Sequence, residues 1–139
     1  SDLPFLENIM SLSSIKYVLA GLIIAGSLNS ASADQANDEK MKKMAVNAGC
    51  MTCHSLTSGG NKPAAGTDKP VGPAWADVAN QYRGKPGAAD FLTRVVLEGS
   101  NPYSSHWKGK VSGIAMPPNA VAISEGDARQ LVFWILSMK

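Results

Sequence analysis

Cys50, Met51, Thr52, Cys53 and His54 are the residues of this chain best suited to chemistry. Two thiols three positions apart, followed at once by an imidazole, form C-x-x-C-H, the signal for covalent attachment of a c-type haem. Each thiol can bond one vinyl group of the same haem. The histidine directly after the second thiol can then ligate the iron. The same residues admit two other readings. A thioredoxin-type redox pair needs a βαβ setting, which this chain's helical pattern lacks. A structural zinc site needs four Cys or His ligands. The chain offers Cys50, Cys53, His54 and His106, but His54 is badly placed to share a metal with the cysteine beside it.

With His54 on one side of the iron, an electron carrier needs a second ligand on the other. Met116 is the candidate. It sits in Gly113-Ile114-Ala115-Met116-Pro117-Pro118-Asn119, where two prolines restrict the backbone and hold the thioether at little entropic cost. A soft, neutral sulfur favours reduced iron and raises the potential. Met41 and Met44 fall on an apolar helical face and read as core. Met51 lies inside the attachment signal, too close to the thioether bonds, and Met138 lies in the terminal helix. His106 is the serious competitor, although a loop histidine is more often simply solvated.

The elements that must position these residues are helices. Met41, Met44, Ala45 and Ala48 share one face of a first helix over about residues 36–48, with Gly49 as its stop. Ser55–Pro70 is a loop by composition. A short helix follows, with Pro73 expected at its first position and Gly84 at its end. A third helix covers about residues 89–98, with Phe91, Leu92, Val95 and Val96 as its buried face and Gly99 as its stop. Ser100–Ile123 is irregular, and a loop that long in a compact domain is usually wrapped around something. The last helix starts at Ser124, in a variant capping box that uses Asp127. The fold class is all-α, with no convincing strand pair.

Composition agrees with one globular domain. The chain has 139 residues, 45% of them hydrophobic and 17% charged, and a formal net charge of +2. That charge is too weak to argue for nucleic acid. Both cysteines belong to the haem signal, so there is no disulfide framework. Residues 1–33 read as an export signal: Lys16, an apolar run from Tyr17 to Leu28, then Ala31-Ser32-Ala33 at the positions a signal peptidase reads. Cleavage after Ala33 leaves residues 34–139 as the mature domain. The bland alternative is an uncleaved anchor, but the run falls short of the roughly 20 residues that span a bilayer. Asp2 and Glu7 fit a positive leader poorly, which makes Met10 an alternative start. Export and haem attachment agree, since bacterial c-type haems are attached outside the cytoplasmic membrane. In a domain this small a planar cofactor adds needed apolar area, so the haem-free chain is expected to fold poorly.

Residues 34–139 resemble the small bacterial class I cytochromes c, the short-loop, mono-haem, periplasmic kind. The resemblance rests on C-M-T-C-H at 50–54, V-G-P-A-W at 71–75, A-M-P-P-N at 115–119 and the closing V-F-W-I-L-S-M-K at 132–139. It implies helices wrapped around one haem c, with terminal helices crossing where Gly49 meets Trp134. It implies that the Pro73 carbonyl accepts the free ring N–H of His54, that Trp107 hydrogen-bonds a haem propionate, and that Asn119 helps to orient the Met116 sulfur. It also implies an electron carrier rather than an enzyme, located in the periplasm and serving redox protein partners; a monomer is the default expectation. Lys62, Lys69, Lys108 and Lys110 would rim the haem edge and meet an acidic docking face, or else serve solubility alone. The alternatives are a haem subunit held permanently by a dehydrogenase or oxidase, and an enzyme or gas sensor with open iron. Two segments are longer than in the short family members: Ser55–Pro70, and the stretch between Trp107 and Met116. Each is either a bland insertion or a determinant of partner choice.

Overall fold

Gly49 stands at the junction between the first helix and the haem signal, with φ +73° in the left-handed region that glycine tolerates. Its amide bonds the Val46 carbonyl at 3.0 Å and so closes the helix. The computed structural model describes residues 34–60 and 63–139. The segment read as an export signal, 1–33, and Lys62 lie outside the described residues. The chain divides into two compact units, Ser1–Asn37 and Asp38–Lys139. The described part of the first is a helical turn, and the second carries the haem signal and the methionine loop. The regular elements among the described residues are α1 over residues 34–47, a 3-10 turn at Cys50–Thr52, α2 (Trp75–Tyr82), α3 (Ala88–Glu98) and α4 (Glu125–Ser137). Among the described residues the only pairing of extended backbone is one isolated bridge, Pro63 with Pro70. The all-α expectation holds.

Helix α4 packs against both α2 and α3. It begins as a capping box. The Ser124 hydroxyl accepts the Asp127 amide at 3.1 Å and donates to the Asp127 carboxylate at 2.8 Å. At its other end Arg83, just past α2, donates from Nε to the Leu136 carbonyl at 3.1 Å and from its terminal nitrogen to Met138. A cation on the last carbonyls suits the negative end of the helix dipole. Ala128, Leu131, Trp134 and Ile135 of α4 join Met41, Ala45 and Ala48 near α1, Trp75 and Val78 of α2, and Ile123 in one core. That burial provides the main driving force for the fold.

Three expectations need correction. Pro73 does not open α2. The helix starts at Trp75 after Ala74, which offers no side-chain cap. The Trp75 and Ala76 amides bond the Ser55 and Leu56 carbonyls at 2.9 and 3.0 Å. Chain just after His54 therefore does the capping, and Pro73 is left outside the helix with a different task. In α3 the fully buried positions are Ala88 and Thr93, while Phe91 is 44% exposed. Leu92, Val95 and Val96 do face inward, lining a cavity, and Leu92 and Val96 also pack against the core; the Thr93 hydroxyl donates to the Ala89 carbonyl at 2.7 Å. Finally, a Cβ on Gly49 would meet nothing within 4 Å, so this glycine serves its backbone angle and not a close approach to Trp134. Trp134 reaches α1 by another route, donating from Nε1 to Asp38 at 2.7 Å. The fully buried small residue of α1 is Ala45.

Candidate functional site

The 3-10 turn carries Cys50 and hands the chain to Cys53 and His54, all three facing one cavity. That cavity encloses about 1070 Å³ of space between atoms, its open mouth included. Val95 and Val96 of α3, Leu131, Val132 and Ile135 of α4, and residues 113–117 of the methionine loop complete its wall. The wall is apolar, and its donors of interest are two thiols, one imidazole and the Met116 thioether. These donors fit haem c with histidine–methionine ligation, and a largely apolar wall with a few polar groups is what cofactor sites show.

His54 is fixed on several sides. Its Nδ1 lies 2.7 Å from the Pro73 carbonyl. A carbonyl only accepts, so Nδ1 carries the proton and Nε2 keeps its lone pair for a metal. The ring stacks on Trp75 with centroids 5.9 Å apart, and Trp75 meets Trp134 edge-on at the same distance. A Cβ on Gly72 would lie 2.9 Å from the Cys53 carbonyl and 3.1 Å from His54 Cε1, so only glycine lets the loop lie against this ring. Burial lowers the His54 pKa, with the Pro73 carbonyl partly opposing. The imidazole is thus held neutral, the form that ligates metals. Burial likewise pushes the Cys50 thiol up, against a smaller backbone hydrogen-bond effect. A thiol so placed is a poor thiolate nucleophile, which argues against thiol redox chemistry.

Met116 is held by its backbone. Its amide donates to the Ser100 hydroxyl at 2.8 Å, and its carbonyl accepts the Ser100 amide at 2.9 Å. Gly99 (φ +87°) lies so near that a Cβ there would be 2.9 Å from the Met116 carbonyl. Gly99 is legible in the sequence as a helix stop. Ser100 carries no signal, because a pairing across sixteen residues leaves no local pattern. His106 does not line this cavity; its Nε2 is 3.0 Å from Lys110 Nζ, and its ring stands edge-on to Trp107. Met41, Met44, Met51 and Met138 belong to the core or pack against it, and none lines the cavity.

The remaining candidates divide. Trp107 is half-buried and lines the cavity beside Lys108, while Lys110 Nζ sits 5.6 Å from the centre of its ring. Lys69 is exposed on the long loop. Asn119 donates from its side-chain Nδ2 to the Ala48 carbonyl at 3.1 Å. Its amide bonds the Val96 carbonyl at 3.0 Å. It thereby ties the end of the methionine loop to the end of α1 and to α3. Among the described residues no group of three or more His, Cys, Asp or Glu could hold a metal ion, so Cys50, Cys53, His54 and His106 do not form a zinc set.

The family model for cytochrome c matches residues 39–139. Cytochrome c-552 of Hydrogenobacter thermophilus is 36% identical over 98 residues, covering 70% of this chain and 81% of that protein. Cytochrome c-551 of Pseudomonas aeruginosa is 34% identical over 123 residues, covering 88% of this chain and 97% of that protein. The crystal structure of Nitrosomonas europaea cytochrome c552 superposes with a TM-score of 0.52 at 34% identity, covering 70% of this chain and 99% of that one. Matched along the whole compact unit, with the attachment signal facing an apolar cavity, the chain belongs to the cytochrome c family as a class I, haem-bearing electron carrier.

Proposed function

We propose that the protein is a periplasmic single-electron carrier in which Cys50 and Cys53 anchor the haem and His54 and Met116 are its axial ligands. Bound in the cavity, the haem supplies iron that cycles between Fe(II) and Fe(III). The chain's own residues do the rest. Pro73 and Trp75 keep the His54 ring in one tautomer and one plane. Ser100 and Gly99 hold Met116 at its backbone. The apolar side chains of α3 and α4 exclude water, and no residue is asked to make or break a bond in a substrate. The observation that carries the reading is that Cys50, Cys53, the oriented His54 and Met116 all line one apolar cavity.

The periplasmic location rests on the export pattern at 1–33 and on the compartment in which bacterial c-type haems are attached. No helix among the described residues is long and apolar enough to cross a membrane. For a partner, the reading favours a protein with an acidic docking face. Lys108 lines the cavity mouth and Lys110 lies over Trp107, so positive charge stands where the cofactor edge would be approached. Weak, transient redox complexes are steered by such charge and screened by salt. The test is electron exchange with two small reagents of opposite charge, hexacyanoferrate and a cationic cobalt complex, across a range of ionic strength. Salt should slow exchange with the anion and quicken it with the cation. Rates indifferent to salt with both reagents would remove the docking proposal.

A further inference from the structure

The two lengthened segments are not independent loops, because each ends on the other. The stretch after Trp107 turns back on itself, with the Lys110 and Val111 amides bonding the Trp107 carbonyl at 2.9 and 3.3 Å. That turn delivers Ser112 and Gly113 onto the end of the long loop. The Ser112 amide and hydroxyl both donate to the Pro70 carbonyl, at 2.8 and 3.1 Å, and the Gly113 amide donates to the Val71 carbonyl at 3.0 Å. The receiving strap continues into the histidine side of the site. The Gly72 amide bonds the Cys53 carbonyl at 2.9 Å, and Pro73 accepts from His54. Four consecutive residues, Pro70 to Pro73, therefore hold the segment carrying His54 at one end and the segment leading to Met116 at the other.

Gly113 makes this junction possible through lack of a side chain. A Cβ there would lie 2.5 Å from the Val71 carbonyl oxygen, nearer than atoms approach without moving. Only Ile114 and Ala115 separate Gly113 from Met116. Each residue spans at most about 3.6 Å, so displacement at Gly113 passes to Met116 with little slack. Ser100 pins Met116 from the other direction. The loop is thus fixed at two points, at Ser100 and at the Ser112–Gly113 junction, and in the second Ser112 bonds Pro70, the last residue of the other lengthened segment.

We infer that Gly113 and Ser112 are positioning residues: their bonds to Val71 and Pro70 set the span between the two ligand-bearing segments and hold the Met116 thioether on the iron. This rests on Met116 being the axial ligand, and the test separates the two. In the holoprotein, Gly113→Ala should part the strap, weaken the absorption band of iron–methionine bonding, lower the reduction potential and raise carbon monoxide uptake by the reduced form. Loss of one ordinary hydrogen bond should raise the population of the open loop about fivefold. Ser112→Ala, which removes only the hydroxyl contact, should shift the same readouts in the same direction by less. Ser124→Ala, at a residue that does not line the cavity, should lower the melting temperature and leave band and potential unchanged, separating positioning from general destabilisation.

If Met116→Ala keeps the band, the ligand assignment fails and the inference falls with it. If Met116→Ala loses the band while Gly113→Ala keeps band, potential and exclusion of carbon monoxide, the strap alone is refuted. Should Gly113→Ala yield no holoprotein, amide exchange in the unaltered protein decides. Ser112 and Gly113 should exchange slowly despite lying in a loop, and exchange as fast as at the exposed Gly66 would overturn the proposal.

Discussion

At the scale of residues, the site is built from backbone carbonyls as much as from side chains. His54 is oriented by the carbonyl of Pro73, and the methionine loop is held at the carbonyls of Pro70 and Val71. This explains what the sequence shows and what it hides. Cys50, Cys53 and His54 stand out because the roles proposed for them follow from spacing within five residues. Met116 is legible because two prolines mark a rigid loop around a soft donor. Ser100 is not, since its hydroxyl meets the Met116 amide across a distant stretch of chain. Ser100→Ala leaves that amide without its acceptor. It should cost about 1 kcal/mol, seen as a lower melting temperature together with a weaker iron–methionine band. Ser100→Thr, which keeps the hydroxyl, should restore most of both. An unchanged band in Ser100→Ala would mean that the Gly113 end of the loop holds Met116 alone.

At the scale of elements, helices are readable from the sequence and their relations less so. Apolar spacing locates all four, and the capping residue of α4 and the glycine stop of α1 fall where expected. The start of α2 differs from expectation because proline at a helix opening is a local preference. Here the helix amides are taken by the Ser55 and Leu56 carbonyls, a tertiary arrangement. Periodicity alone puts Phe91 on a buried face, yet α3 turns Leu92, Val95 and Val96 to the cavity and leaves Phe91 exposed beside Tyr82. Since α4 packs on both α2 and α3, its cap matters to the whole unit. Ser124→Ala should destabilise the protein by about 1 kcal/mol, measured by thermal or denaturant unfolding. A change near zero would show that the Asp127 carboxylate or water replaces the cap. The surface ion pair Arg129–Asp90 at 2.7 Å joins α4 to α3 and, being exposed, contributes less than the cap.

At the scale of the whole molecule, residues 38–139 are organised around a cavity that the chain lines without filling. A core of α1, α2 and α4 forms one wall, through Leu131 and Ile135. The irregular stretch after α3 forms another. That stretch is long because it must carry Trp107 and Met116 to the cavity and return to α4. Composition alone makes the lengthened segments surface additions or partner determinants, and loops do tolerate insertion. Beyond either role, Ser112 of one segment donates to the Pro70 carbonyl of the other and ties the two together. Composition cannot reveal this, because the bonds at Pro70 and Val71 are accepted by backbone carbonyls that any sequence possesses.

The central claim is that His54 and Met116 close the iron from two sides, with His106 left outside. The most direct measurement is the visible spectrum, with and without carbon monoxide, of the reduced and oxidised unaltered protein beside Met116→Ala and His106→Ala. The account predicts an iron–methionine band and no carbon monoxide adduct for the unaltered protein and for His106→Ala. It predicts loss of the band and ready formation of the adduct for Met116→Ala. A native spectrum in Met116→Ala, or an open iron in His106→Ala, would contradict it.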